Sequence, residues 1–245
     1  MFRRTGAHGW PLAAADADDL ETQLTVGGHL LPLPKEPAPL ANVLEVSIVD
    51  YLLARLAQVP GADGRRGTER GYPDIEIAGS AFGDAHHAID VKIAQRKIGK
   101  QGPSKNTQSR ITLYTGNTYF RYPKLHWPGT FRPFADYTSH LDVLGIYTLT
   151  DTAERVAGLE LIVQPPWRIA SRQRSSTTRE YIGAVVDIDD LRHGRGEFET
   201  AAFYASWRRY PFKVGVVVQQ QLDKLLAGDQ APAGVLPPVP DELPL

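Results

Sequence analysis

Tyr72 to Ala78 and His87 to Ala94 alternate apolar and polar residues with a period of two. That spacing marks a β-strand with one face against a core. Gly79, Ser80, Gly83 and Asp84 lie between the segments and supply turn chemistry, so a β-hairpin is expected. Ile89, Val91 and Ile93 share one face of the second strand, opposite Asp90 and Lys92; in the first strand Ile75 and Ile77 oppose Asp74 and Glu76. With the apolar faces on the core, the charged faces are expected on the accessible side. A register that sets Ala78 opposite His86 brings Asp74 directly across from Asp90, with Cβ atoms about 5 Å apart.

Carboxylates so placed repel each other unless a cation lies between them, and a hard divalent ion with oxygen ligands suits such a pair. Mg²⁺ is the expected ion, with Mn²⁺ as a substitute. A metal held there could activate water and neutralise charge on a phosphodiester, while Lys92 stabilises the same charge. The competing reading is a surface hairpin whose acids and lysine pair across strands. Glu45, on a helix preceding the hairpin, borders that helix's buried face and is a candidate accessory metal ligand. His86 and His87 are adjacent on a strand, so they point to opposite faces and cannot easily chelate one ion together. No Gly-rich phosphate loop, serine nucleophile elbow or HExxH zinc motif occurs in the chain.

A chain of 245 residues without cysteine can bury a substantial core and uses neither disulfides nor thiolate metal ligands. No window resembles the roughly 18 uncharged apolar residues of a membrane span, and a cytoplasmic protein is expected. Leu40, Val43, Leu44, Ile48, Leu52, Leu53 and Leu56 recur at helical spacing, predicting a helix over 38–57. Further strands are expected at 141–149 and 159–163, and helices at 199–210 and 212–226. Gly61 to Gly71 reads as a loop. Residues 1–35 read as an irregular arm with short strand character near 24–26 and 29–31, and 227–245 as a proline-rich extension.

The formal net charge is −1, but Val91 to Ala135 contains no acid and includes Lys92, Arg96, Lys97, Arg110, Arg121 and Arg132. A second acid-free run carries Arg168, Arg172, Arg174 and Arg179. Such runs either attract phosphate or are ordinary solvated surface.

Tyr72-Pro73-Asp74 followed by Ala88-Ile89-Asp90-Val91-Lys92 is similar to the PD-(D/E)XK nuclease signature, and within that superfamily the chain resembles the EcoRV restriction endonuclease family. The likeness extends from about residue 29 to residue 210. It includes the helix around Glu45, Ile111-Thr112-Leu113, Asn117-Thr118-Tyr119-Phe120, Phe134 through Tyr147, Trp167 to Ala170, and Trp207-Arg208-Arg209-Tyr210. The resemblance implies an α/β fold with a restriction-endonuclease-like mixed sheet flanked by helices and carrying the catalytic hairpin. It also implies a homodimer on double-stranded DNA that cuts both strands of a short palindrome to blunt ends, with no nucleotide cofactor and no membrane partner. The nuclease domain would span 36–226, with the arm contributing to dimerisation. Asp74 and Asp90 become metal ligands, Lys92 the catalytic lysine and Glu45 an accessory acid and metal ligand. Asn117 and Thr118 become candidate phosphate contacts.

The family's glycine-rich recognition loop is replaced here by Ser171-Arg172-Gln173-Arg174-Ser175-Ser176-Thr177-Thr178-Arg179. Arginine pairs well with guanine O6 and N7, so a target richer in G·C is expected from Arg172, Gln173, Arg174, Ser176, Thr177, Thr178 and Arg179. Arg66, Thr68, Glu69 and Arg70, ahead of Asp74, are candidates for the minor groove or backbone. The acidic, proline-rich end lacks the basic tail that EcoRV-like proteins carry. Competing functions are a repair or junction-resolving nuclease of the same superfamily and a non-catalytic DNA-binding module.

Overall fold

The computed structural model describes residues 36–68, 71–99, 102–114, 121–150, 156–174, 182–209 and 216–228. Helix α1, Pro37–Leu56, begins with proline in its first turn, where the missing N–H costs nothing. Leu40, Leu44 and Ile48 recur every four residues and are fully buried, so α1 docks along this stripe. The 20-residue helix reaches a mean hydropathy of 1.2 over an 18-residue window and is long and apolar enough to cross a membrane by length and composition. It is not the uncharged apolar run that the sequence reading excluded, because Glu45, Asp50 and Arg55 lie within it.

The main sheet runs β1 (Asp63–Arg66), β2 (Ile75–Ala78), β3 (His87–Gly99), β6 (Ser139–Leu149) and β7 (Val156–Gln164), with β4 (Gly102–Gln108) paired to the far end of β3. β3 and β6 are parallel, and the other pairings are antiparallel. A smaller sheet joins β5 (Thr112–Tyr114), β9 (Ile182–Ala184) and β8 (Ala170–Arg174). Helices α2 (Ile188–His193), α3 (Thr200–Arg209) and α4 (Val216–Gly228) follow. The Asp187 carboxylate caps α2 by accepting from the N–H groups of Asp189 and Asp190, and Gly194 ends it in the left-handed conformation.

The hairpin register pairs Ile75 with Ile89 and Ile77 with His87, the alignment expected from sequence. Gly79, at φ 101° in the connection, could not carry a Cβ, which would lie 2.3 Å from the Gly61 carbonyl oxygen. The first strand is shorter than expected, beginning at Ile75. Gly61 to Gly71 is not all loop, because β1 arises within it, pairing Asp63 with Ala78 and Arg66 with Ile75. Its four residues are all exposed, so pairing to β2 places it without an apolar pattern.

Core residues cover both faces of the main sheet. Ile75, Ile89, Val91 and Val143 pack with Ile48 and Val49 of α1. On the opposite side Ala88, Ala94, Leu144 and Ile146 join a larger core with Tyr72, Phe134, Ile169 and Phe203. The charged face of the hairpin is therefore not an open surface as expected: Glu76 is 1% exposed and Asp90 5%. The arm at 1–35 and the tail from 229 lie outside the described residues.

Candidate active site

Asp74 lies immediately before β2, and its Oδ2 accepts the Val91 N–H at 2.6 Å. This bond fixes the carboxylate beside Asp90, close enough for the Asp74 charge to act on it. Lys92, two residues along the same face of β3, places Nζ 2.7 Å from Asp90 Oδ2. The elements thus bring Asp74, Asp90 and Lys92 together: strand alternation aligns Asp90 with Lys92, and the hairpin register delivers Asp74. Lys92 retains 26% side-chain exposure, whereas Asp90 retains 7%.

The electrostatics follow from this crowding. Burial pushes the Asp90 carboxyl well above the usual range, and Asp74 and Asp142 add to the rise while Lys92 opposes it. Burial disfavours the Lys92 ammonium, but Asp90 and Asp74 outweigh that and hold it charged. Glu45 sits close enough to feel both Asp74 and Lys92; burial and then Asp74 raise its carboxyl, and Lys92 lowers it.

Asp142 is an acid that sequence reasoning missed. It lies on β6 in register with Asp90 and is 1% exposed. Its carboxyl is pushed up to about 7, first by burial and then by Asp74, with Lys92 acting in the opposite direction. The available signal was an acid inside the apolar run Leu141 to Leu149, but sequence alone did not show that β6 lies beside β3.

Glu76, on the same face of β2, serves a different purpose. Arg132 grips it through Nε at 2.7 Å and Nη2 at 3.1 Å, and Arg65 approaches at 3.4 Å. This bond ties the segment after residue 121 to the hairpin. The histidines do not converge: His87 Nδ1 pairs with Ser139 Oγ at 2.8 Å, while His86 lies 3.8 Å from Glu76.

Several basic residues from the acid-free runs have internal partners. Arg96 bonds Glu160 at 3.1 Å and Thr148 at 3.2 Å. Arg66 pairs with Asp50 of α1, and the Thr68 carbonyl accepts from Gly71 N–H. Arg172 donates to the Glu197 carbonyl at 3.2 Å and stacks 4.7 Å over Phe198. The Gln173 N–H donates to Ser171 Oγ at 3.0 Å, and Arg174 closes β8. Ser176, Thr177, Thr178, Arg179, Glu69, Arg70, Asn117 and Thr118 lie outside the described residues.

A divalent cation fits the donor set. Asp74 and Asp90 are hard oxygen donors whose mutual repulsion, seen in the rise that Asp74 causes at Asp90, a cation would relieve, and Asp142 Oδ2 is buried without a hydrogen-bond partner. Among the described residues no three Asp, Glu or His side chains form a closed chelate, so an ion here would take its remaining ligands from solvent or substrate.

No curated protein matches the chain. A family model described as restriction endonuclease EcoRV matches residues 7–226, which include the hairpin, α1, β6 and the β8–β9 region. The chain therefore belongs to the EcoRV restriction endonuclease family, whose members are DNA-cutting nucleases that generally depend on a divalent metal.

Proposed function

We propose that this protein is a type II restriction endonuclease, a Mg²⁺-dependent homodimer that hydrolyses both strands of duplex DNA at a short palindromic site. The observation that carries this reading is the convergence of Asp74, Asp90 and Lys92, with Asp74 Oδ2 anchored on the Val91 N–H between Asp90 and Lys92 and Lys92 Nζ at 2.7 Å from Asp90. Asp74 and Asp90 would hold the cation, with Glu45 as an accessory acid. Bound Mg²⁺ would supply a Lewis acid that lowers the pKa of water and offsets phosphoryl charge. Lys92, kept charged by its carboxylate neighbours, presents an ammonium to the charge that builds on the phosphate. Glu45, whose carboxyl is raised by burial and by Asp74, is suited to exchange a proton with a nearby water.

Blunt ends follow if the chain keeps the cutting geometry of its family. Base readout falls to the 171–181 region. Because Arg172 is already bonded to Glu197 and stacked on Phe198, Arg174 and Arg179 are the arginines proposed to read guanine, giving a target richer in G·C. Incubating the protein with plasmid and genomic DNA, with Mg²⁺ or EDTA, tests the whole reading. Discrete fragments with Mg²⁺ alone are expected. Nicking without defined bands would replace restriction by a repair-type nuclease, and an absence of cutting would leave a DNA-binding module.

A further inference from the structure

Asp142 stands one strand beyond the Asp74–Asp90 pair. β2, β3 and β6 are consecutive in the sheet, and the parallel register sets Asp142 against Asp90. Paired residues on adjacent strands point to the same face, so Asp90 and Asp142 stand side by side, with Asp74, at the head of β2, anchored on the Val91 N–H on the other side of Asp90. Two further observations single out Asp142. It is 1% exposed, and its Oδ2 has no hydrogen-bond partner although both Lys92 and Asp74 act on it electrostatically.

A buried acceptor left empty is costly, and more so when charged. A counter-charge for Lys92 alone does not explain it, since Lys92 already makes its close pair with Asp90. The geometry points to Asp142 as a third carboxylate of the cation site, a positioning residue whose Oδ2 accepts from the hydration shell of the ion held by Asp74 and Asp90. This rests on the nuclease reading above. The absence of a closed three-residue chelate among the described residues fits a role outside the ion's direct ligands. Asp142 contributes charge and orientation there, and so sets how tightly the ion is held.

The test is Mn²⁺ binding to the full-length, metal-free protein, followed without DNA by the electron paramagnetic resonance signal of the free ion. Asp142→Asn keeps shape while removing charge, and Asp142→Val, a residue suited to an apolar strand, guards against a fault peculiar to the amide. Both are expected to weaken Mn²⁺ binding by about ten-fold or more, the usual effect of losing an outer-shell partner, with the metal-free thermal midpoint unchanged or raised. Wild-type affinity in both variants would overturn the inference. Asp90→Asn separates the two levels: if it abolishes binding while the Asp142 variants bind normally, only the role of Asp142 fails. If Asp90→Asn also binds as wild type, the cation-site reading fails with it.

Discussion

Lys92 and Asp90 pair with each other at 2.7 Å, so replacing either alters the local charge balance as well as its proposed role. Asp90→Ala removes a proposed cation ligand, and Lys92→Ala removes the ammonium placed to meet phosphate charge. Each should lower single-turnover cleavage by about a hundred- to a thousand-fold or more, with circular dichroism confirming the fold; near-normal rates in either would remove it from the active site. His140 offers a separate check on the buried core. Its Nδ1 lies 2.6 Å from the Tyr72 hydroxyl, its ring stacks 3.8 Å from Phe134, and burial pushes its pKa down to about 3. Because the folded value is depressed, the unfolded chain takes up the proton first as pH falls. The stabilisation is complete above about 6.5 and is lost progressively on acidification towards 3. The slope from this group approaches about 1.4 kcal/mol per pH unit. The raised Asp90 carboxyl acts in the opposite sense, so urea denaturation of wild type and His140→Asn should be compared between pH 4 and 7. The variant should show the smaller loss towards acid, and parallel curves would contradict a neutral His140.

At the scale of elements, the docking of α1 decides where Glu45 can reach. Gly145 of β6 permits that approach, since a Cβ there would lie 2.6 Å from Ile93 Cδ1 and 3.0 Å from Ile48 Cδ1. Gly145→Val should therefore cost about 1–3 kcal/mol by overpacking, measured by urea denaturation. It should also reduce cleavage if α1 is displaced with its glutamate; unchanged stability would mean that the interface is looser than the contacts imply. Legibility in the sequence followed the same packing. The α1 stripe and the hairpin alternation were readable because each buries one regular face. β1 was not, because all four of its residues are exposed, and it is held by backbone pairing to β2 and by the ion pairs of Arg65 and Arg66 with Glu76 and Asp50. β4, Gly-Pro-Ser-Lys-Asn-Thr-Gln, likewise carries no apolar period and forms because β3 continues past Ala94 to Gly99.

At the scale of the whole molecule, the candidate active site lies on a sheet with core residues on both faces, and Lys92 keeps part of its side chain exposed there. The β8–β9 region, which presents the proposed recognition segment, belongs to a separate small sheet. Chemistry and base reading thus rest on different supports and should separate under mutation. Arg174→Ala should relax base preference, seen as cutting at additional sites in sequenced digestion products, while leaving the maximal rate on a good site within a few-fold. A uniform loss of affinity for every sequence would recast Arg174 as a phosphate contact.

Sequence alone determined the local geometry of each strand: alternation put Asp90 and Lys92 on one face of the second strand, and Asp74 and Glu76 on one face of the first. Both are consequences of backbone period, which a few residues suffice to specify. Tertiary structure decided what surrounds Asp74, Asp90 and Lys92. The parallel pairing of β6 with β3 brought in Asp142 from far along the chain, and the second core turned an expected open face into a buried one. Long-range pairing and burial depend on which distant segments meet, and no local spacing encodes that choice.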